Sequence, residues 1–211
     1  MIVGENKVTQ SMVKCWREYW THNQKSLHTL GNNIAERIII KKGLALEYIT
    51  NIIKVHFPNY KMDFAGMQRQ SEAHQLHMDE TGTDRKFMTY TLLIPLEDDK
   101  RIKTIIYDSF ANTNEDIRNR MMDFGEIEQK VSDKSNLGAQ ELSHTARHFK
   151  TGQYYADTLE LHGVFEYQLG NYVIFDTNLV HSSNNWTALS EWQGKYKEII
   201  QVHFQDLDQR L

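Results

Sequence analysis

Tyr167-Gln168-Leu169-Gly170-Asn171-Tyr172-Val173-Ile174-Phe175-Asp176-Thr177-Asn178-Leu179-Val180-His181 is the stretch that decides how this chain folds. A Gly-Asn pair between two runs rich in aromatic and β-branched residues marks a strand, a tight turn and a second strand. The short polar loop Thr177-Asn178 then delivers His181 to the mouth of a sheet. An imidazole held there on a rigid element is a candidate metal ligand.

Far upstream stands a second signal, His77-Met78-Asp79. On a strand, side chains two residues apart point to the same face, so His77 and Asp79 can grip one ion. With His181 they would make a two-histidine, one-carboxylate set. That set fills one triangular face of an octahedron and leaves the opposite face open, an arrangement suited to non-haem Fe(II) holding a cosubstrate and dioxygen together. His74 has the opposite strand parity and is expected to pack beside the site, and His203, far down the last strand, is a candidate to line the interior. His144 and His148 are four apart and would share a helix face with Glu141, but Thr145 stands where a zinc-protease helix has its glutamate.

The flanks of these signals are specific. A polar turn, Glu80-Thr81-Gly82-Thr83-Asp84, precedes residues 86–96, which read as a buried strand closed by acidic turn residues. Ser182-Ser183-Asn184-Asn185 follows His181. Beyond a loop, residues 194–204 form a last strand in which Lys195 and Lys197 share a face with Ile199 and Gln201. A cation at the start of that strand would face the same interior as the metal ligands.

The pieces HMD (77–79), YTLLIPLED (90–98), LGNYVIFDTNLVHSSNN (169–185) and KEIIQVHF (197–204) resemble the Fe(II)/2-oxoglutarate-dependent dioxygenases, in particular the phytanoyl-CoA hydroxylase-like branch. The resemblance covers residues 62–205. It implies a mainly β fold, a double-stranded β-helix or cupin-like jelly roll of two sheets with iron at its mouth. It implies His77, Asp79 and His181 as the catalytic iron ligands. It further implies that Lys197 pairs with the distal carboxylate of 2-oxoglutarate, that Ser183 hydrogen-bonds that carboxylate, and that one of Tyr90 and Thr91, with Thr91 favoured, touches the cosubstrate. The sequence departs from the family in two places. Trp192 occupies the spacing at which the family usually has an arginine, which leaves Lys195, Lys197 or Arg69 to supply the cation. A Pro-Gly-Ser-His stretch common after the equivalent of Thr104–Ser109 is absent.

At 211 residues the chain suits a single domain with a substantial core. The expected division is a helical buttress over 1–60, a jelly-roll core over 62–108 and 159–205, and a partly helical, lid-like insertion over 109–158. That insertion is polar, and helical patterning appears in it at 114–124 and 139–149. Residues 9–24 place Met12, Trp16 and Trp20 at four-residue spacing, and residues 44–55 place Leu44, Tyr48, Ile52 and Val55 on one stripe. Both are expected to be amphipathic helices resting on the sheet. Residues 34–40 and 61–70 read as strands.

Twenty-four basic against 28 acidic residues leave a net charge of −4, which argues against a nucleic-acid partner. No apolar run reaches membrane-spanning length and no export signal is seen, so a cytoplasmic location without membrane contact is expected. One cysteine, Cys15, rules out an internal disulfide and fits a reducing compartment. The expected activity is hydroxylation of a C–H bond of a small molecule or amino-acid side chain, with release of succinate and CO2. An intact Asp79 favours hydroxylation or desaturation over halogenation. A non-catalytic jelly-roll metal- or ligand-binding protein and a divalent-metal (zinc) cupin-like hydrolase or isomerase are the alternatives. Oligomeric state is left open.

Overall fold

The computed structural model describes residues 1–30, 35–73, 79, 86–110, 161–184 and 186–210. Among them, two helices and ten strands follow in order: β1 (Ile2–Gly4), α1 (Gln10–His22), β2 (Leu27–Leu30), β3 (Ala35–Ile39), α2 (Leu44–Lys54), β4 (Tyr60–Gln70), β5 (Phe87–Pro95), β6 (Asp99–Phe110), β7 (Leu161–Tyr167), β8 (Tyr172–Asp176), β9 (Leu179–Ser183) and β10 (Lys197–Arg210). The strands form two antiparallel sheets. One has the order β1-β8-β5-β10-β4-β3-β2 and the other β7-β6-β9. This is the expected jelly roll. The expected insertion, with its helical pieces and His144 and His148, falls almost wholly outside the described residues, as do His74 and His77.

The two helices form because their apolar residues recur at helical spacing, and a side chain caps the start of α1. Thr9 is extended, and its hydroxyl accepts the Met12 amide at the start of α1. Gly43, at φ 81°, admits the chain to α2 from a left-handed conformation that a side chain would disfavour. Trp16 and Trp20 of α1 and Ile49 and Ile53 of α2 lie almost fully buried against Ile38, Met67, Leu92, Ile94, Ile200 and Val202 of the large sheet. Trp16 also donates its indole N–H to the Ala45 carbonyl at 2.9 Å, tying the helices together. Burying one such ring contributes roughly 4–6 kcal/mol before entropy is subtracted.

The other face of the large sheet looks into the gap between the sheets. There Leu93, Val173, Phe175 and Ile199 meet Ile102, Ile106, Phe165, Tyr167 and Leu179, with Trp186 and Trp192 closing one side. The large sheet is therefore buried on both faces, and strand alternation sorts its residues between a helix side and a cleft side. On β10, Ile200 and Val202 go to the helices while Lys197, Ile199 and Gln201 go to the cleft. On β4 the cleft side carries Gln68 and Gln70, both buried. β10 lies between β4 and β5, so it brings their cleft-facing residues to either side of its own. A bulge at Asp63, where Phe204 pairs with Met62 directly after His203 pairs with Phe64, shifts the β4–β10 register before the ladder continues to Asp206 and Tyr60.

Candidate active site

Asp79 is buried and is held from several sides. Its amide donates to the Thr177 carbonyl at 3.2 Å, and the Thr177 amide in turn donates to Thr89 of β5 at 3.0 Å, so the backbone at Asp79 is tied to the loop that leads to His181. The Thr91 hydroxyl donates to Asp79 Oδ2 at 2.7 Å. The Gln201 side-chain amide donates to Oδ1 at 3.2 Å. Together these bonds fix the plane of the carboxylate.

His181 reaches the same carboxylate from the small sheet. Its Nε2 lies 3.6 Å from Asp79 Oδ2. Its Nδ1 lies 2.9 Å from the Leu179 carbonyl, a contact that needs the proton on Nδ1 and so presents the Nε2 lone pair to the cleft. Phe175 packs edge-on against the ring at a centroid distance of 4.9 Å. Ligand bonds of about 2.0–2.2 Å from each side span more than this separation, so one ion can be reached by both groups. The donor set, one carboxylate and one imidazole of the correct tautomer with their supporting hydrogen bonds, fits a divalent metal. Among the described residues no three His, Cys, Asp or Glu are placed to hold an ion by themselves. Two of the three expected ligands are brought together, and His77 lies outside the described residues.

His203 also comes to the carboxylate, its Nε2 standing 3.8 Å from Asp79 Oδ2. Its parity with Lys197, Ile199 and Gln201 turns it to the interior, while its approach to Asp79 from so far along β10 is not visible in the sequence.

Lys197 is 2% exposed, although a lysine is almost never fully buried without a partner. Its ammonium donates to Ser183 Oγ at 3.1 Å and lies 5.1 and 5.6 Å from the ring centres of Tyr167 and Trp186. Burial pushes its pKa down to about 7. No carboxylate pairs with it among the described residues. Tyr167 is buried too, its hydroxyl 3.1 Å from that of Thr104, and its pKa is pushed up to about 12. Lys197, Ser183, His181, Gln201, Gln70 and Thr104 all line one narrow cleft between the sheets.

Other expected contacts fall elsewhere. Arg69 stands on the opposite face of β4, where its side chain donates to Glu198 at 2.7 Å and stacks 4.6 Å above Trp20. It is a helix-side ion-pair residue and does not reach the cleft, because β4 alternates and Gln68 and Gln70 own the inward positions. Lys195 precedes β10, exposed, with its ammonium 6.0 Å from the Trp192 ring centre. Thr91 does face inward, but its hydroxyl is engaged by Asp79. Tyr90 points the other way, into the Phe57 and Phe204 rings. No helix among the described residues is long and apolar enough to cross a membrane.

No protein-family model matches the sequence. No curated protein matches it either. Solved structures do share its fold. SnoK, a non-heme alpha ketoglutarate dependent carbocyclase from nogalamycin biosynthesis, aligns with a TM-score of 0.59 at 11% identity, over 97% of this chain and 79% of its own. The epimerase SnoN in complex with Fe3+, alpha ketoglutarate and nogalamycin RO aligns at 0.57 and 7% identity, over 97% and 78%. HygX from Streptomyces hygroscopicus, with nickel and 2-oxoglutarate bound, aligns at 0.52 and 9% identity, over 98% and 82%. The chain has the double-stranded β-helix fold of these enzymes.

Proposed function

We propose that this chain is a non-haem Fe(II)/2-oxoglutarate-dependent oxygenase that hydroxylates a C–H bond of a small molecule or amino-acid side chain. Its motifs point to the phytanoyl-CoA hydroxylase-like branch. The observation that carries the reading is Lys197, a buried cation with neutral neighbours in the same cleft as His181. A buried ammonium without a counter-charge is costly, and a ligand carboxylate is the natural group to offset that cost. SnoN and HygX, which share the fold, are solved with a metal and this cosubstrate bound.

In this reading His77, Asp79 and His181 hold the iron. Thr91 and Gln201 keep the Asp79 carboxylate turned toward it, and the Leu179 carbonyl keeps His181 in the ligating tautomer. Lys197 and Ser183 receive the distal carboxylate of 2-oxoglutarate. Trp186 and Tyr167 exclude water around that ion pair, which strengthens it. When bound, iron, 2-oxoglutarate and dioxygen supply an oxidative decarboxylation that yields succinate and CO2, with one oxygen atom going to the substrate C–H bond and the other to succinate. The retained carboxylate of Asp79 occupies the place a halide would need.

The test is a titration of 2-oxoglutarate with Mn(II) in place of iron, followed by oxygen consumption and succinate release with Fe(II). Metal-dependent binding with succinate formation supports the oxygenase. Metal binding without 2-oxoglutarate binding would overturn it in favour of a non-catalytic or zinc-dependent cupin-like protein.

A further inference from the structure

Arg37 stands in the middle of β3, paired with Gln68 of β4, which is paired with Ile199 of β10. These three residues form a row on the cleft side of the large sheet. The arginine stem crosses β4 over Gly66, where a Cβ would come within 3.4 Å of Arg37 Cγ and 2.6 Å of Phe64 Cζ. The missing side chain at Gly66 thus opens the passage by which Arg37 and Phe64 lean toward the site. The guanidinium carbon lies 4.6 Å above the Phe64 ring centre, and that ring meets the His203 ring at 5.5 Å.

The groups holding Arg37 are all neutral. Its Nη2 donates to Gln201 Oε1 at 3.4 Å. The end of the Gln68 side-chain amide lies against the same guanidinium, 2.7 Å from Nη2 and 3.2 Å from Nε. The contrast with Arg17 and Arg69 is direct, since both of those share Glu198. Among the described residues no carboxylate pairs with Arg37, and the acid that acts on its charge is Asp79. Arg37 is not among the residues lining the Lys197 cleft, and Gln201 stands between the two cations. They are therefore suited to two different anions.

We propose that Arg37 is the substrate-anchoring cation, receiving a carboxylate of the organic substrate on the Phe64 and His203 side of Asp79. This rests on the oxygenase reading for calling the ligand a substrate. The neutral amides meet Nη2 and Nε and the Phe64 ring covers one face, which leaves the Nη1 edge of the guanidinium to receive one singly charged, planar anion. A phosphate dianion would call for a second cation beside it.

Benzoate and its neutral isostere benzamide test this on protein carrying Mn(II) and 2-oxoglutarate. Binding is read by calorimetry and by the Arg37 Nε–H resonance in nitrogen-correlated NMR. Wild type should prefer the acid by about tenfold or more, with a shifted Arg37 resonance. Arg37→Gln should abolish that preference and Arg37→Lys should keep part of it, while 2-oxoglutarate affinity stays within about twofold. Equal binding of acid and amide in wild type, or a preference that survives Arg37→Gln, overturns the proposal. So does a loss of 2-oxoglutarate affinity matching that of Lys197→Met, which would assign Arg37 to the cosubstrate. Should Arg37→Gln fail to fold, the wild-type resonance decides alone. Failure of wild type to bind 2-oxoglutarate at all would refute the oxygenase reading, and the same acid-against-amide comparison with Mn(II) alone would still judge Arg37.

Discussion

Replacing Lys197 by Met should make the ligand-free protein more stable and its cosubstrate binding worse. Burial lowers the ammonium from its ordinary 10.5 to about 7. A base whose pKa falls on folding gives up its proton to fold, so between about 7 and 10.5 stability rises with pH, and the full cost is present below about 7. That span corresponds to a cost on the order of 5 kcal/mol. Methionine removes that cost but leaves the Ser183 hydroxyl without its partner and must repack against Tyr167 and Trp186, which together reduce the net gain to roughly 2–3 kcal/mol. Methionine fills similar volume without a charge, so the ligand-free variant should melt about 4–12 °C higher at neutral pH. The gain should shrink toward pH 10. The same change removes the partner of the distal carboxylate, so 2-oxoglutarate, titrated with Mn(II) present, should bind about ten- to a hundredfold more weakly. Calorimetry without ligand and the titration are both needed. A lower melting temperature would refute the account of burial, and an unchanged affinity, or a large loss on Lys195→Met instead, would refute the assignment of the carboxylate.

Asp79→Ala and His181→Ala should each abolish iron-dependent succinate release while circular dichroism stays that of the folded protein; His77→Ala is expected to match them. Thr91→Val removes the hydroxyl that orients Asp79 and should weaken Mn(II) binding about ten- to a hundredfold, read by metal titration. Gly66→Ala should fold, since Phe64 can swing its ring tip aside, but the preference for benzoate over benzamide should fall as the ring leaves Arg37. Trp16→Phe leaves the Ala45 carbonyl without its indole donor and should cost about 1–3 kcal/mol in urea denaturation.

Much of the fold was legible because its signals are local. The patterns over 9–24 and 44–55 became α1 and α2, although the buried face of α2 is Ala45, Ile49, Ile52 and Ile53, and Leu44 and Val55 of the expected stripe are exposed; the Gly170 turn with its flanking runs became β7 and β8. At Gly170 the structure shows why, with φ 103° at the turn. The site was legible where parity could be counted, as on β10 for Lys197, Ile199 and Gln201. It was not legible where the direction of a face had to be guessed. Arg69 looked like a cleft cation because a charge is usually read as either solvent or function, yet it is on the helix side with Glu198. Polar residues on β4 face inward because the sheet is covered on both sides and its inner face lines a polar cleft. Arg37 was lost within a run read for its isoleucines, although a charge at its centre is itself unusual. His203 could be turned inward by parity, but bringing it to Asp79 needed the β10 register, which only pairing with β4 and β5 supplies.

The central place of β10 also bears on how the molecule comes into being. It is made after all the other described strands, yet it pairs with β4 along ten positions and with β5 along eight. Until it is inserted, β4 and β5 each present an open edge, and such edges readily recruit strands from other chains. Lys197, Gln201 and His203 arrive only with it. A nascent chain can therefore dock α1 and α2 early but cannot close the sheet, and contacts so distant in sequence make that closure slow. Refolding should yield a helix-bearing, ligand-incompetent species before the competent one, and high protein concentration at that stage should divert it into aggregates.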